Sequence, residues 1–125
     1  MTTSVFSLAN IVNKIKIKIS MNPFIELKLL DVKDKLPGAT AAYFQTAHST
    51  VAYTEMKAGA EIPLHKHVNE AVDIILEGEL EMKIGERTEI LKPGMMSFVP
   101  SNVLHKARAL SDCKAVTILH PQKEL

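Results

Sequence analysis

The sequence of 125 residues lacks tryptophan, has a single cysteine and contains only 5% aromatic residues. One cysteine, Cys113, cannot form a disulfide within the chain, so an apolar core has to hold the fold, and a reducing compartment suits it. Apolar residues make up 46% of the chain, which is enough for such a core at this length. We therefore expect one globular domain, located in the cytoplasm.

The sequence also lacks an excess of charge, since 15 lysines and arginines stand against 14 aspartates and glutamates. A basic surface for nucleic acid is therefore not indicated. No apolar run approaches the roughly 18 residues that a membrane-spanning helix needs. The N-terminus has neither the early positive charge nor the uninterrupted apolar stretch of a signal peptide. We expect neither nucleic acid nor membrane among the partners.

The first twenty residues differ in pattern from the rest of the chain. Residues 14–19 alternate lysine with isoleucine, which predicts a half-buried strand with its lysines in water. Lysine on an edge strand discourages unwanted pairing. Residues 1–20 are thus either an N-terminal extension that pairs with a partner subunit or a mobile leader ahead of a true start at Met21. Residues 21–125 are expected to form the domain.

After Met21 the chain is a series of short apolar runs separated by glycine, proline, asparagine and serine. No window of ten or more residues has a convincing helical period, and turns about 8–12 residues apart are typical of an all-β sandwich or barrel. Ten strands are predicted: 24–32, 43–46, 50–57, 62–67, 71–76, 80–84, 87–91, 95–99, 105–109 and 114–119.

Three of the five histidines lie close to glycine-bounded turns. His65 and His67 are one residue apart, and in a strand this spacing directs both imidazoles to the same face. His105 follows a later Pro-Gly turn and the run after it. Neutral imidazoles are good ligands for zinc, iron, nickel, copper and manganese, so the three residues predict a site for a divalent transition metal.

The two histidine stretches together resemble the two motifs of small single-domain cupins. The first motif consists of a glycine, five intervening residues and His-x-His, and it closes on another glycine; it is matched by Gly59, His65, His67 and Gly78. The second places a proline and a histidine at fixed distances after a glycine; it is matched by Gly94, Pro100 and His105. Asn102 stands where the family has a further glycine, and asparagine tolerates a left-handed turn.

This resemblance extends over roughly residues 24–121 and implies a fold and a ligand set. The fold is all-β, a cupin-type jelly-roll (double-stranded β-helix) barrel. The implied metal ligands are His65, His67 and His105.

The family's usual fourth ligand, a glutamate or glutamine, is replaced by Ala71. Glu70 is adjacent but faces the other way in a regular strand, so it would reach the metal only through a bulge or from a loop. Asp73 shares the face of Ala71 about 6–7 Å further along, which suits a partner of a histidine or an acid/base group. Three interpretations are open. The site is a three-histidine centre with open positions, a centre that recruits Glu70 or Asp73, or a barrel with weakened metal binding.

Alternation along the strands predicts the surroundings of the site. The inward residues are expected to include Asp73, Ile75, Ala107 and Ala109. The outward face of strand 71–76 carries Val72, Ile74 and Leu76. Because both faces of this strand are apolar, a second subunit is expected to cover the outer one, and we predict a homodimer.

The first motif is most similar to that of cupins that act on unsaturated uronate sugars in pectin breakdown. This similarity implies an amide ligand, and an aspartate, an aromatic residue and an arginine near the C-terminus. The chain departs from that pattern with Ala71, Thr117, Leu119 and Lys123. We expect a metal-binding protein that binds or acts on a small carbohydrate or carboxylate, with Asp73 as acid or base. The alternatives are a three-histidine non-haem iron dioxygenase and a non-catalytic ligand-binding cupin.

Overall fold

The structure is a computed structural model that describes residues 22–125. The predicted N-terminal extension, with its strand at 14–19, lies outside these residues. The described chain contains one short 3-10 helix, Leu27–Leu29, and ten strands. The strands are β1 (Val32–Leu36), β2 (Ala39–Gln45), β3 (Thr50–Met56), β4 (Glu61–His65), β5 (Glu70–Glu77), β6 (Leu80–Ile84), β7 (Arg87–Leu91), β8 (Met96–Val99), β9 (His105–Ala109) and β10 (Cys113–His120).

The strands form two antiparallel sheets, which confirms the predicted all-β jelly-roll architecture. The six-stranded sheet has the order β1-β2-β3-β10-β5-β8, and the four-stranded sheet has the order β4-β9-β6-β7. Consecutive strands such as β4 and β5 belong to different sheets, so the chain passes repeatedly from one sheet to the other. Between residues 22 and 125 no helix has the length and apolar character to cross a membrane.

The core lies between the inner faces of the two sheets. The large side chains that are most completely buried are those of Ile75, Val99 and Thr50. Ala71 pairs with Val99 on one side and with Leu119 on the other, and all three are buried. Burying one isoleucine or valine side chain contributes about 1.5–3 kcal/mol, so these buried side chains hold the two sheets together. Cys113 is buried, and it forms no disulfide, as expected of the single cysteine in the chain.

Most of the predicted strands agree with the structure within a few residues, and 80–84, 87–91 and 105–109 agree at both ends. The prediction of a strand at 24–32 is wrong, because this segment contains the 3-10 helix and β1 begins only at Val32. Phe24 and Leu29 are exposed, by 84% and 71%, so the apolar run does not supply a buried sheet face.

The placement of His67 inside a strand is also wrong. The strand β4 ends at His65. The carbonyl of His67 accepts a hydrogen bond of 2.8 Å from the backbone N–H of Asn102 in the loop between β8 and β9, so this carbonyl pairs with a loop instead of a neighbouring strand.

The pairing of β8 settles which of its side chains point inward. Ser97 pairs with Asp73, and Val99 pairs with Ala71, so these residues share the inner face. The other face, which we call the outer apolar face, carries the exposed side chains of Leu76, Met96, Phe98 and Ile118. Phe98 pairs with Val72, and Val72 pairs with Ile118, so apolar residues continue across three strands.

The turn after β5 needs glycine for two reasons. Gly78 has a φ of +81°, and a Cβ added there would lie 2.0 Å from the carbonyl oxygen of Asp112. Gly94 has a φ of +90°, but a Cβ there would meet nothing within 4 Å. The two glycines share the left-handed backbone and differ in the space around it. Comparing their alanine variants therefore separates the cost of crowding from the cost of the backbone conformation.

We expect Gly94→Ala to lower the free energy of unfolding by about 1–2 kcal/mol, which is the cost of a left-handed non-glycine residue. Gly78→Ala should lower it by about 2–5 kcal/mol, since backbone must also move to admit the methyl group. Urea unfolding of the two variants measures the difference. Equal losses would show that the contact with Asp112 is unimportant.

Candidate metal centre

Two of the three predicted histidines are brought together by the four-stranded sheet. His65 is the last residue of β4 and His105 the first of β9, and they pair directly in the sheet register. The hydrogen bond between His67 and Asn102 ties the segment after β4 to the loop before β9. Asn102 adopts a left-handed φ of 62°, as expected of the residue that replaces glycine there.

The three imidazoles converge on one point. The ring centroids are 4.1 Å apart for His65 and His105, 4.7 Å for His67 and His105, and 5.4 Å for His65 and His67. One ring nitrogen from each residue lies within 4.8 Å of those of the other two. The three residues are therefore positioned to bind a metal ion.

Backbone carbonyls set the tautomer of all three rings. The Nδ1 atoms of His65, His67 and His105 lie 2.8, 2.9 and 2.8 Å from the carbonyl oxygens of Pro63, Asn69 and Val103. A carbonyl only accepts, so each Nδ1 carries the hydrogen and each Nε2 keeps its lone pair free. Metal-binding histidines are oriented by hydrogen bonds of this kind.

The electrostatics at His105 also favour the neutral form of its imidazole, which is the form that metals bind. Burial lowers the pKa of the His105 imidazole, and the nearby rings of His65 and His67 lower it further, against the opposing effect of its hydrogen bond to Val103. Three imidazoles with their Nε2 atoms turned to one point form a donor set that fits a divalent transition metal.

The position of the usual fourth ligand contains no donor. Ala71 is buried and lines the cavity beside the histidines. Glu70, which precedes it, is exposed and is not among the residues that line the cavity. Within residues 22–125, no carboxylate joins the three histidines as a potential ligand group. The structure thus brings the histidines together and leaves Glu70 away from them.

Asp73 lies on the inner face of β5, as predicted, and lines the same cavity. Its Oδ1 accepts a hydrogen bond of 2.6 Å from the hydroxyl of Thr117, and its Oδ2 accepts one of 3.1 Å from the hydroxyl of Ser97. Its negative charge acts on His105, whose pKa it tends to raise. Hydroxyls from two neighbouring strands therefore orient the carboxylate, which faces the cavity that the three histidines also line.

The cavity between the sheets has a volume of about 290 Å³. The histidines form part of one wall, and the opposite wall carries Asp73, Thr117, Ala52 and Tyr43. Asp34 and Tyr43 are two polar lining residues that sequence reasoning missed. Tyr43 belongs to neither motif, and Asp34 lies beside a β-bulge in β1 that alternation along a strand does not predict.

Residues 52–120, more than half of the chain, match the family described as "Cupin domain". The chain belongs to the cupin family. Among curated protein sequences none matches the chain at a significant level. The family match covers both histidine motifs and therefore supports the resemblance drawn from them.

Several solved structures are similar to this cupin. KdgF from Halomonas sp. is 20% identical with a TM-score of 0.75, covering 83% of this chain and 97% of that one. An RmlC-like cupin from Shewanella frigidimarina is 21% identical with a TM-score of 0.75, covering 83% and 95%. A variant of salicylate 1,2-dioxygenase from Pseudoaminobacter salicylatoxidans is 20% identical with a TM-score of 0.65, covering 68% and 27%. At these identities the TM-scores show a shared fold and nothing more.

The hydroxyl of Thr117 should stabilise the fold through its bond to Asp73. We expect Thr117→Val to lower the free energy of unfolding by about 1.5 kcal/mol, since a half-buried carboxylate loses a donor. The matched control is Thr54→Val. Thr54 lines the same cavity but forms no side-chain hydrogen bond with residues 22–125, so its replacement should change stability by less than about 0.5 kcal/mol. Thermal or urea unfolding compares the two, and similar losses would contradict the assignment.

Proposed function

We propose that this cupin binds a divalent transition metal through His65, His67 and His105 and holds a small carbohydrate or carboxylate beside it. The observation that carries this proposal is the common orientation of the three imidazoles, each with Nδ1 on a carbonyl and Nε2 left for the metal. Zinc, iron, nickel and manganese all accept such ligands. A bound metal would act as a Lewis acid on a carbonyl or hydroxyl oxygen of the ligand.

The residues around the histidines have distinct parts in this proposal. Ala71 leaves space beside the histidines where a larger ligand residue would project, so an oxygen of a small molecule has room to approach. Asp73, on the wall opposite the histidines, is held by two hydroxyl donors, and it would accept a proton from the bound molecule or return one to it. The structural likeness to KdgF and the resemblance of the first motif support a ligand of carbohydrate type.

A second candidate function rests on the absence of a carboxylate from the ligand group of the described residues. Three-histidine iron dioxygenases also lack that carboxylate, and a salicylate 1,2-dioxygenase is among the structurally similar proteins. Oxygen consumption by the protein loaded with ferrous iron, in the presence of an aromatic carboxylate, would favour this alternative. Metal and ligand binding without any turnover would instead identify a non-catalytic binding protein.

Metal analysis of freshly purified protein tests the proposal directly. We expect close to one equivalent of a transition metal in the unaltered protein and a loss of at least about tenfold in metal affinity for His65→Ala, since one of three ligands is removed. The control is His48→Ala, because His48 is exposed and lies outside the ligand group. If the unaltered protein and His65→Ala both lack metal above background after metal is supplied, the proposed site is wrong.

We also propose that the protein is a homodimer whose subunits cover each other's outer apolar face. Met96 and Phe98 are exposed by 65% and 50%, and Leu76 and Ile118 by 42% and 39%. Contiguous exposed apolar residues of this kind mark interaction surfaces. A second copy is the partner that presents the same apolar surface to them, as a twofold interface requires.

Light scattering coupled to size exclusion should give twice the chain mass at micromolar concentration. We expect Phe98→Ser to shift the protein towards the monomer, since it removes the aromatic side chain of the outer apolar face. Ile90→Ser is the matched control, because Ile90 is 43% exposed but belongs to the other sheet. A monomeric unaltered protein would contradict the homodimer.

A further inference from the structure

A second polar cluster lies on the cavity wall opposite the histidines, and it consists of Asp34, Tyr43 and Lys123. The β1–β2 register shifts between Val32 and Asp34, and this bulge allows Asp34 to turn towards the cavity. The hydroxyl of Tyr43 donates a hydrogen bond to the Oδ2 of Asp34. Burial raises the pKa of the Tyr43 hydroxyl and its bond to Asp34 raises it further, so the phenol keeps its proton.

Lys123 is brought to this cluster by main-chain hydrogen bonds. Its carbonyl accepts a bond of 2.7 Å from the side-chain amide of Gln45, and its N–H donates one of 2.9 Å to the hydroxyl of Thr50. Thr50 is fully buried, which fixes the segment that follows β10. The ammonium of Lys123 then lies 5.7 Å from the ring centroid of Tyr43, within the range of a cation–π contact.

The cluster continues a polar row that crosses the six-stranded sheet and begins at Asp73. Asp73 pairs with Thr117, Thr117 with Ala52, and Ala52 with Tyr43. These residues therefore stand at one level across four strands, about 14 Å from the first backbone to the last. Ala52 interrupts the row with a small side chain. The histidines and this cluster line the same cavity, so one ligand that fills it has both within its surroundings.

We propose that Asp34, Tyr43 and Lys123 form a subsite for hydroxyl groups, which makes the preferred ligand a neutral polyhydroxylated molecule such as a sugar or polyol. A hydroxyl both donates and accepts, so it pairs at once with the free oxygen of Asp34 and with the ammonium of Lys123. A ligand carboxylate only accepts and would be repelled by Asp34. This inference rests on the proposed function, since it concerns the far end of the same ligand.

The charges around the cavity agree with a neutral ligand. The charged side chains that line it, apart from the histidines, are Asp34, Asp73, Lys106 and Lys123. Two negative and two positive charges cancel over the whole cavity, so these side chains give no net attraction to an anion. Lys123 by itself would suit a sugar carboxylate, but it shares its cluster with Asp34.

The test compares two matched sugars, galactose and galacturonate, on the metal-loaded protein by calorimetry or ligand-observed NMR. We expect tighter binding of galactose. Asp34→Asn should weaken galactose binding about tenfold and reduce the preference over galacturonate, since a charged hydrogen-bond acceptor is lost. Asp31→Asn is the control, because Asp31 is exposed and does not line the cavity. This variant should bind galactose and galacturonate with the affinities of the unaltered protein.

A second variant keeps the inference testable if Asp34→Asn does not fold. Lys123→Met leaves the main-chain bonds of Lys123 in place and should also weaken galactose binding. If galacturonate binds more tightly than galactose, and neither variant alters the ratio, the subsite is wrong while the metal-dependent function stands. If the metal-loaded protein binds neither sugar nor any other polyol or carboxylate, both proposals fail. Metal analysis on the same samples separates these results from loss of the metal.

Discussion

The pairing of β10 with β3 on one side and β5 on the other is the constraint on which the remaining structure depends. Side chains alternate along each strand, so a slip of one residue would turn every inward group out of the barrel. This register places Thr117 beside Asp73 and Leu119 beside Ala71. The apolar row that contains Ala71 and Leu119 and the polar row that contains Asp73 and Thr117 are therefore set by the same backbone hydrogen bonds. Packing against the core and assembly of the site are not independent events.

The two walls of the cavity are organised by different interactions. On the four-stranded sheet, backbone carbonyls orient the imidazoles, so the direction of the lone pairs depends on the main chain beside each histidine. On the six-stranded sheet, side chains from separate strands orient one another, as the hydroxyls of Ser97 and Thr117 do for Asp73. Loss of a single side chain should therefore disturb the second wall locally, while the first wall responds mainly to changes in backbone geometry.

The histidines and the inward position of Asp73 could be predicted because they depend on spacing and alternation within short segments. Ala71 could be recognised as a missing ligand for the same reason. The end of β4 before His67 could not be predicted, because the carbonyl of His67 bonds to Asn102, which is more than thirty residues away in sequence. The sequence could not predict that Asp34 and Lys123 lie in one cluster. Asp34 is turned by an irregularity in strand pairing, and Lys123 is held by Gln45 and Thr50, which are remote in sequence.

The segment that follows β10 has a consequence for how the cavity can change. Its attachment to Gln45 and Thr50 makes the last strand and its continuation part of the cavity wall, whereas the three clustered histidines belong to the segment from β4 to β9. The histidine group and the C-terminal part of the cavity wall therefore come from different parts of the chain. Substitutions near the C-terminal end can change the lining of the cavity without altering the three histidines. In this barrel the two can diverge separately in sequence.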